Sequence, residues 1–165
     1  MARRSKSKRI EGERTRRGKK PSGREKKPKV YARPYHVDLA RSLAELEGWT
    51  PTQPSDGGGG LIGRHQTATS KPIGQLDVRE LEMLITQGSE LHWLWPVILE
   101  TLRADIGASF GTGLLRLVIG RRSFWVSHPH ARTELVRLIG ERTEALQGDL
   151  DDGLFDAATS FVEQG

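Results

Sequence analysis

The sequence predicts an all-α protein, a compact bundle of five to seven helices behind a disordered basic N-terminal arm. Three observations carry that expectation. Apolar residues recur at spacings of three and four in segment after segment, the period of a helix with one buried face. No segment sustains the period-two alternation of a half-buried strand. Residues 1–36 hold 15 lysines and arginines against three acids, a net of +12, with almost nothing apolar among them.

The arm comes first. From Met1 to Lys29 only Met1, Ala2 and Ile10 are apolar. Such a segment cannot offset a backbone ordering cost of about 1–2 kcal/mol per residue, so it is expected to be disordered. Its cations, among them Arg3, Arg4, Lys6, Lys8, Arg9, Arg16, Arg17, Lys19 and Lys20, suit non-specific contact with nucleic-acid phosphates. The plainer reading is a solubilising tail. No aromatic residue precedes Tyr31, so the stacking platform of a single-strand binder is missing.

Residues 37–165 are expected to form a single α-helical domain. The other 129 residues after the arm carry 11 bases and 18 acids, a net of −7, so the whole-chain pI of about 9.8 describes the arm rather than the body. Val37 to Glu47 reads as a short helix with Leu39, Leu43 and Leu46 on one side and Trp49 anchoring its exit. Residues 51–70 read as a flexible loop, because Pro51, Pro54 and Gly57-Gly58-Gly59-Gly60 break any periodic pattern. The four glycines are no phosphate cradle, since no Gly-Lys-Ser/Thr ending follows them.

Asp77 followed by Glu80 is a capping box for a helix with Val78, Leu81, Leu84 and Ile85 on one face, and Gly88 can end it at positive φ. A second stripe runs through Leu91, Leu94, Trp95, Ile98, Leu99 and Leu102. Pro96 lies inside it and must kink the helix or start a new one. Gly111 to Gly120 encloses a short apolar run, taken as helix from its helical neighbours. Ser127 is the expected N-cap of a helix reaching Gln147, with Pro129 in its first turn and Ala131, Leu135, Leu138, Ile139, Arg142 and Leu146 as its stripe. Asp149 or Asp151 caps a last helix with Leu154, Ala158, Phe161 and Val162 on one face.

The order KP-I-G-x-L, then an acidic helix ending L-x-x-L-I-x-Q-G, then L-x-x-L-x-P-x-x-L-E-x-L, is distinctive. The positions are Lys71, Pro72, Leu76, Leu81, Leu84, Ile85, Gln87, Gly88, Leu91, Leu94, Pro96, Leu99, Glu100 and Leu102, with Gly113-Leu114-Leu115 and Phe124-Trp125 downstream. This pattern resembles the immunity proteins of bacterial contact-dependent growth inhibition systems, over roughly residues 40–140. One departure stands out: the family pattern carries an acidic residue before Leu-Leu, where this chain has Gly113. The resemblance implies a non-catalytic protein that binds a cognate toxin domain and blocks it. The alternative reading is a nucleic-acid-associated protein working through residues 1–29, whose binding would fall steeply with salt.

Residues that could carry chemistry are few. The absence of cysteine excludes disulfides and thiolate metal sites, and favours a cytoplasmic location. No apolar run reaches the about 18 residues of a membrane span, and no apolar segment follows the N-terminal charges as in a secretory signal. His128 and His130 flank Pro129, but no third metal ligand is suggested, so a helix-entry turn is the better reading. Asp149, Asp151, Asp152 and Gly153 imitate a calcium loop, with the glycine one position early and Ser160 in place of the closing glutamate. No serine sits in a G-x-S-x-G setting. Neither an enzyme nor a cofactor or metal is expected.

The candidate partner-binding residues are acidic and aromatic. Asp77, Glu80, Glu82 and Glu90 lie within fourteen residues of one another, and Glu82 is expected to point away from the apolar face of its helix. Such a field would speed encounter with a cationic toxin. Trp93 lies off the main stripe and is either a second packed side or an exposed anchor.

Overall fold

Two capping boxes and two left-handed glycines set the frame of this chain. We describe it from a computed structural model, for residues 36–49, 60–109, 111–142 and 152–164. At the first helix, α1 (Leu43–Glu47), Ser42 accepts from the Glu45 amide while Glu45 accepts from the Ser42 amide, and Gly48 closes the helix at φ 73°. Asp77 and Glu80 make the same reciprocal pair at α3 (Val78–Thr86). There the Ser89 amide reaches Leu84 O at 3.0 Å and the Gly88 amide reaches Ile85 O at 3.1 Å, a Schellman ending with Gly88 at φ 86°.

The remaining elements are α2 (Leu61–Ser70), a 3₁₀ turn at Ile73–Gln75, α4 (Leu91–Ala104), α5 (Leu114–Ile119), α6 (Arg122–Ser127), α7 (Pro129–Glu141) and α8 (Asp152–Glu163). No strand occurs among the described residues, and the all-α expectation holds. The described residues hold eight α-helices, against the expected five to seven. The two extra ones are α2, in what the composition marks as loop, and α6, which the sequence does not separate from its neighbours.

The stripes define the core. Leu81, Leu84 and Ile85 of α3 and Leu91, Leu94, Trp95, Ile98, Leu99 and Leu102 of α4 are buried, as are Leu114, Leu115 and Val118 of α5. Phe124 and Trp125 of α6, Leu135 of α7, and Leu154, Ala158 and Phe161 of α8 also belong to it. Helix α3 packs on α2, α4 and α5, while α8 packs on α5 and α7. Helix α4 runs unbroken through Pro96, one backbone donor short.

Several expectations need correction. Helix α1 begins at Leu43, not Val37, and the turn before it leaves Leu39 40% exposed. Trp49 is 39% exposed and donates to Glu47 at the surface instead of anchoring the exit. Residues 61–70 are helical rather than a flexible loop, and residues 51–59 lie outside the described residues. Ser127 ends α6, and His128 takes the N-cap place of α7. Arg142 is exposed and donates to Arg103 O, so it does not continue the α7 stripe. No helix of the described residues is long and apolar enough to cross a membrane.

Candidate functional site

Of the five residues expected to face a partner, three are occupied by the fold. Asp77 is exposed, and its carboxylate accepts from the Glu80 amide as the N-cap of α3. Glu80 returns the bond to the Asp77 amide and also holds Lys71 at 2.8 Å. Glu82 departs furthest from expectation: only 6% exposed, it turns inward toward the loop before α5. Its two oxygens accept from the Thr112 amide at 3.3 Å and the Gly113 amide at 3.2 Å. A partner cannot reach a carboxylate spent in this way. The basic residues of the arm lie outside the described residues.

Glu90 and Trp93 remain at the surface, and the structure adds a third member between them. Glu90 stands in the N-cap place of α4 with its side chain 69% exposed, its carboxylate 3.4 Å from His92 Nδ1. The His92 ring lies 4.2 Å from the Trp93 ring, and Trp93 is half-buried against the core. His92 also stacks on His128, with centroids 6.1 Å apart and planes within 10°. His128 is buried, stacks on Phe124 at 4.3 Å and shares 3.0 Å between its Nδ1 and Phe124 O. Because a carbonyl only accepts, Nδ1 of His128 carries the proton in that bond. Beside this row opens a cleft of about 320 Å³ lined by Ser89, Glu90, Arg121, Ser123, Ser127 and His128. Arg121 is tied by its guanidinium to Ile85 O at the end of α3.

Local sequence explains three of the four members of this row. Glu90, His92 and Trp93 come together because the Schellman turn at Gly88 delivers the chain straight into α4. His128 comes from 36 residues downstream, brought in by the α6–α7 junction. No spacing rule in the sequence links the two histidines.

Burial pushes the His92 imidazole below its ordinary 6.5; the neighbouring Glu90 carboxylate, and Glu47 at the end of α1, oppose this, while His128 adds to it. A lowered folded pKa means that the unfolded chain binds more protons just below pH 6.5, so stability falls as pH drops through that value and levels off below the folded pKa. Urea unfolding of the wild type and His92→Gln between pH 8 and 5 checks this. The wild type should lose more stability than the variant over that range; parallel curves would refute the assignment.

Among the described residues, no group of three or more metal-ligating side chains is brought together. Comparison with protein-family models, with curated proteins and with solved structures finds no match for this chain.

Proposed function

We propose that this chain is a non-catalytic cytoplasmic immunity protein that binds a cognate toxin domain of a contact-dependent growth inhibition system and occludes it. The observation that carries the reading is where the family-like residues fall. Leu81, Leu84, Ile85, Leu91, Leu94, Leu99 and Leu102 form the buried faces of α3 and α4. The start of α4 presents Glu90 to solvent, with His92 and Trp93 part-buried beside it. A tryptophan beside an exposed carboxylate on pre-formed helix is the make-up of an interface anchor that needs little rearrangement on binding.

Charge supports the same partner class. The chain beyond the arm carries a net of −7, which favours encounter with a cationic protein such as a nuclease. The departure from the family pattern at Gly113 has a physical counterpart. An acidic residue before Leu-Leu would cap α5 from its own chain; here Gly113 sits at φ 89° without a side-chain cap, and Glu82 of α3 supplies the carboxylate.

The test is co-expression with the toxin domain encoded beside this chain, scored by cell survival and by isolation of the complex. Protection with a stable complex is expected, and neither protection nor complex would reject immunity. Glu90→Lys should slow association severalfold at low salt and little at high salt. Reversal at Glu80 or Glu82 is unsuitable for this purpose, since both carboxylates hold the fold together.

A further inference from the structure

A second cleft, of about 360 Å³, lies where the α5–α6 turn, α6, α7 and α8 meet. Among the described residues, its charged lining consists of Arg122 and Arg132, with no carboxylate. Ser160 and Gln164 add a hydroxyl and an amide, while Trp125 and Phe161 supply the apolar wall.

Arg132 has an evident structural task. Its guanidinium donates to Phe161 O at 2.7 Å and lies 4.9 Å from the centre of the Phe161 ring. That places a cation at the last turn of α8, whose carbonyls carry about half a negative charge. This one bond uses a single donor of the five that a guanidinium offers. The same explanation does not extend to Arg122, which is exposed at the start of α6 and forms no ion pair among the described residues. Among the described lining residues, two unit charges against roughly half a charge from the helix end leave a positive balance.

We propose that the cleft binds a small oxyanion, a phosphate ester or a carboxylate carried on a compact organic body. Guanidinium groups suit both, since each offers two parallel N–H donors to two oxygens. The volume lies at the lower end of the roughly 300–1,000 Å³ of small-molecule sites, with an apolar wall and a few polar groups as such sites have. The hydroxyl of Ser160 and the amide of Gln164 give further donors to the anion. This site is independent of toxin binding and of the α3–α4 junction.

The test titrates AMP, inorganic phosphate, adenosine and succinate separately into the full chain, following the Trp125 indole N–H signal by NMR. Saturable shifts with AMP or phosphate assign a phosphate ligand, and with succinate a carboxylate. Arg122→Gln, at an exposed position that leaves the core intact, should weaken the winning anion roughly tenfold, the loss of charge-assisted bonds. Arg132→Gln should do the same if its melting curve stays cooperative. The basic arm is present in every sample, so its own anion binding cancels in the comparison. The proposal is overturned if no anion gives a saturable shift, if adenosine binds as well as AMP, or if Arg122→Gln binds like the wild type.

Discussion

Trp125→Ala is expected to destabilise the protein by about 3–5 kcal/mol, the range for truncating a buried tryptophan. Its ring is buried at the meeting point of four helices. It packs edge-on to Trp95 of α4 at 5.5 Å, to Phe124 of α6 at 4.8 Å and to Phe161 of α8 at 5.2 Å. The indole N–H donates to the end of α5, with Val118 O at 3.2 Å and Ile119 O at 3.3 Å. Alanine therefore removes a ring, three aromatic contacts and a buried hydrogen bond together. A domain of this size has roughly 5–15 kcal/mol in all, so the variant should lie near the edge of folding. Urea unfolding reads the loss. Trp125→Phe keeps the ring contacts and should cost clearly less, while Val126→Ser, at the exposed neighbouring position, should fall within about 0.5 kcal/mol of the wild type. A loss below about 1.5 kcal/mol for the alanine variant would mean that this cluster is not the centre of the core.

The parts of the fold that could be read in advance are those whose information is local. The Asp77–Glu80 box, the αL position at Gly88 and the stripe from Leu91 to Leu102 each depend on residues within about three turns of one another, and each appears as expected. Helix α2 could not be read that way. Its large apolar residues, Leu61 and Ile62, are exposed, and its buried ones are Gly63, Ala68 and Thr69. Small residues pack closely without leaving a stripe. Thr67, Thr69 and Ser70 also return their hydroxyls to carbonyls one turn back, a polar pattern that composition alone assigns to loops.

The candidate site divides along the same line. Asp77 and Glu80 are legible as helix caps, and that use is what withdraws them from a partner. Glu90 and Trp93 are legible because they flank the α4 stripe. The His92–His128 stack depends on how the α6–α7 junction returns to the start of α4, a tertiary fact that no helical period encodes. The inward turn of Glu82 is not legible in the sequence for a related reason. On a helical wheel it lies off the apolar face, yet the loop at 111–113 crosses over it and supplies amides in place of water.

That crossing makes Glu82→Ala the other substitution of large effect, with an expected loss of about 2–3 kcal/mol. A hydrogen bond to a charged group contributes about 1.5–3 kcal/mol, and truncating its acceptor leaves buried donors without a partner. Here two donors are at stake, the Thr112 and Gly113 amides, and the Gly113 amide is in a buried setting. Helix α5 starts directly after them, and Gly113 at φ 89° brings no side-chain cap of its own. Without the carboxylate, the entry to α5 loses its tie to α3, and Leu114 and Leu115 lose the positioning that sets them in the core. Glu82→Gln keeps the shape and one acceptor oxygen, so it should retain about half of the stability that alanine loses. Amide exchange separates this from general destabilisation. The Thr112 and Gly113 amides should exchange much faster in Glu82→Ala than in a core variant matched for total stability. Wild-type protection at those two amides, or a stability loss within about 0.5 kcal/mol, would show that Glu82 does not hold the loop, and would return it to the surface charges available to a partner.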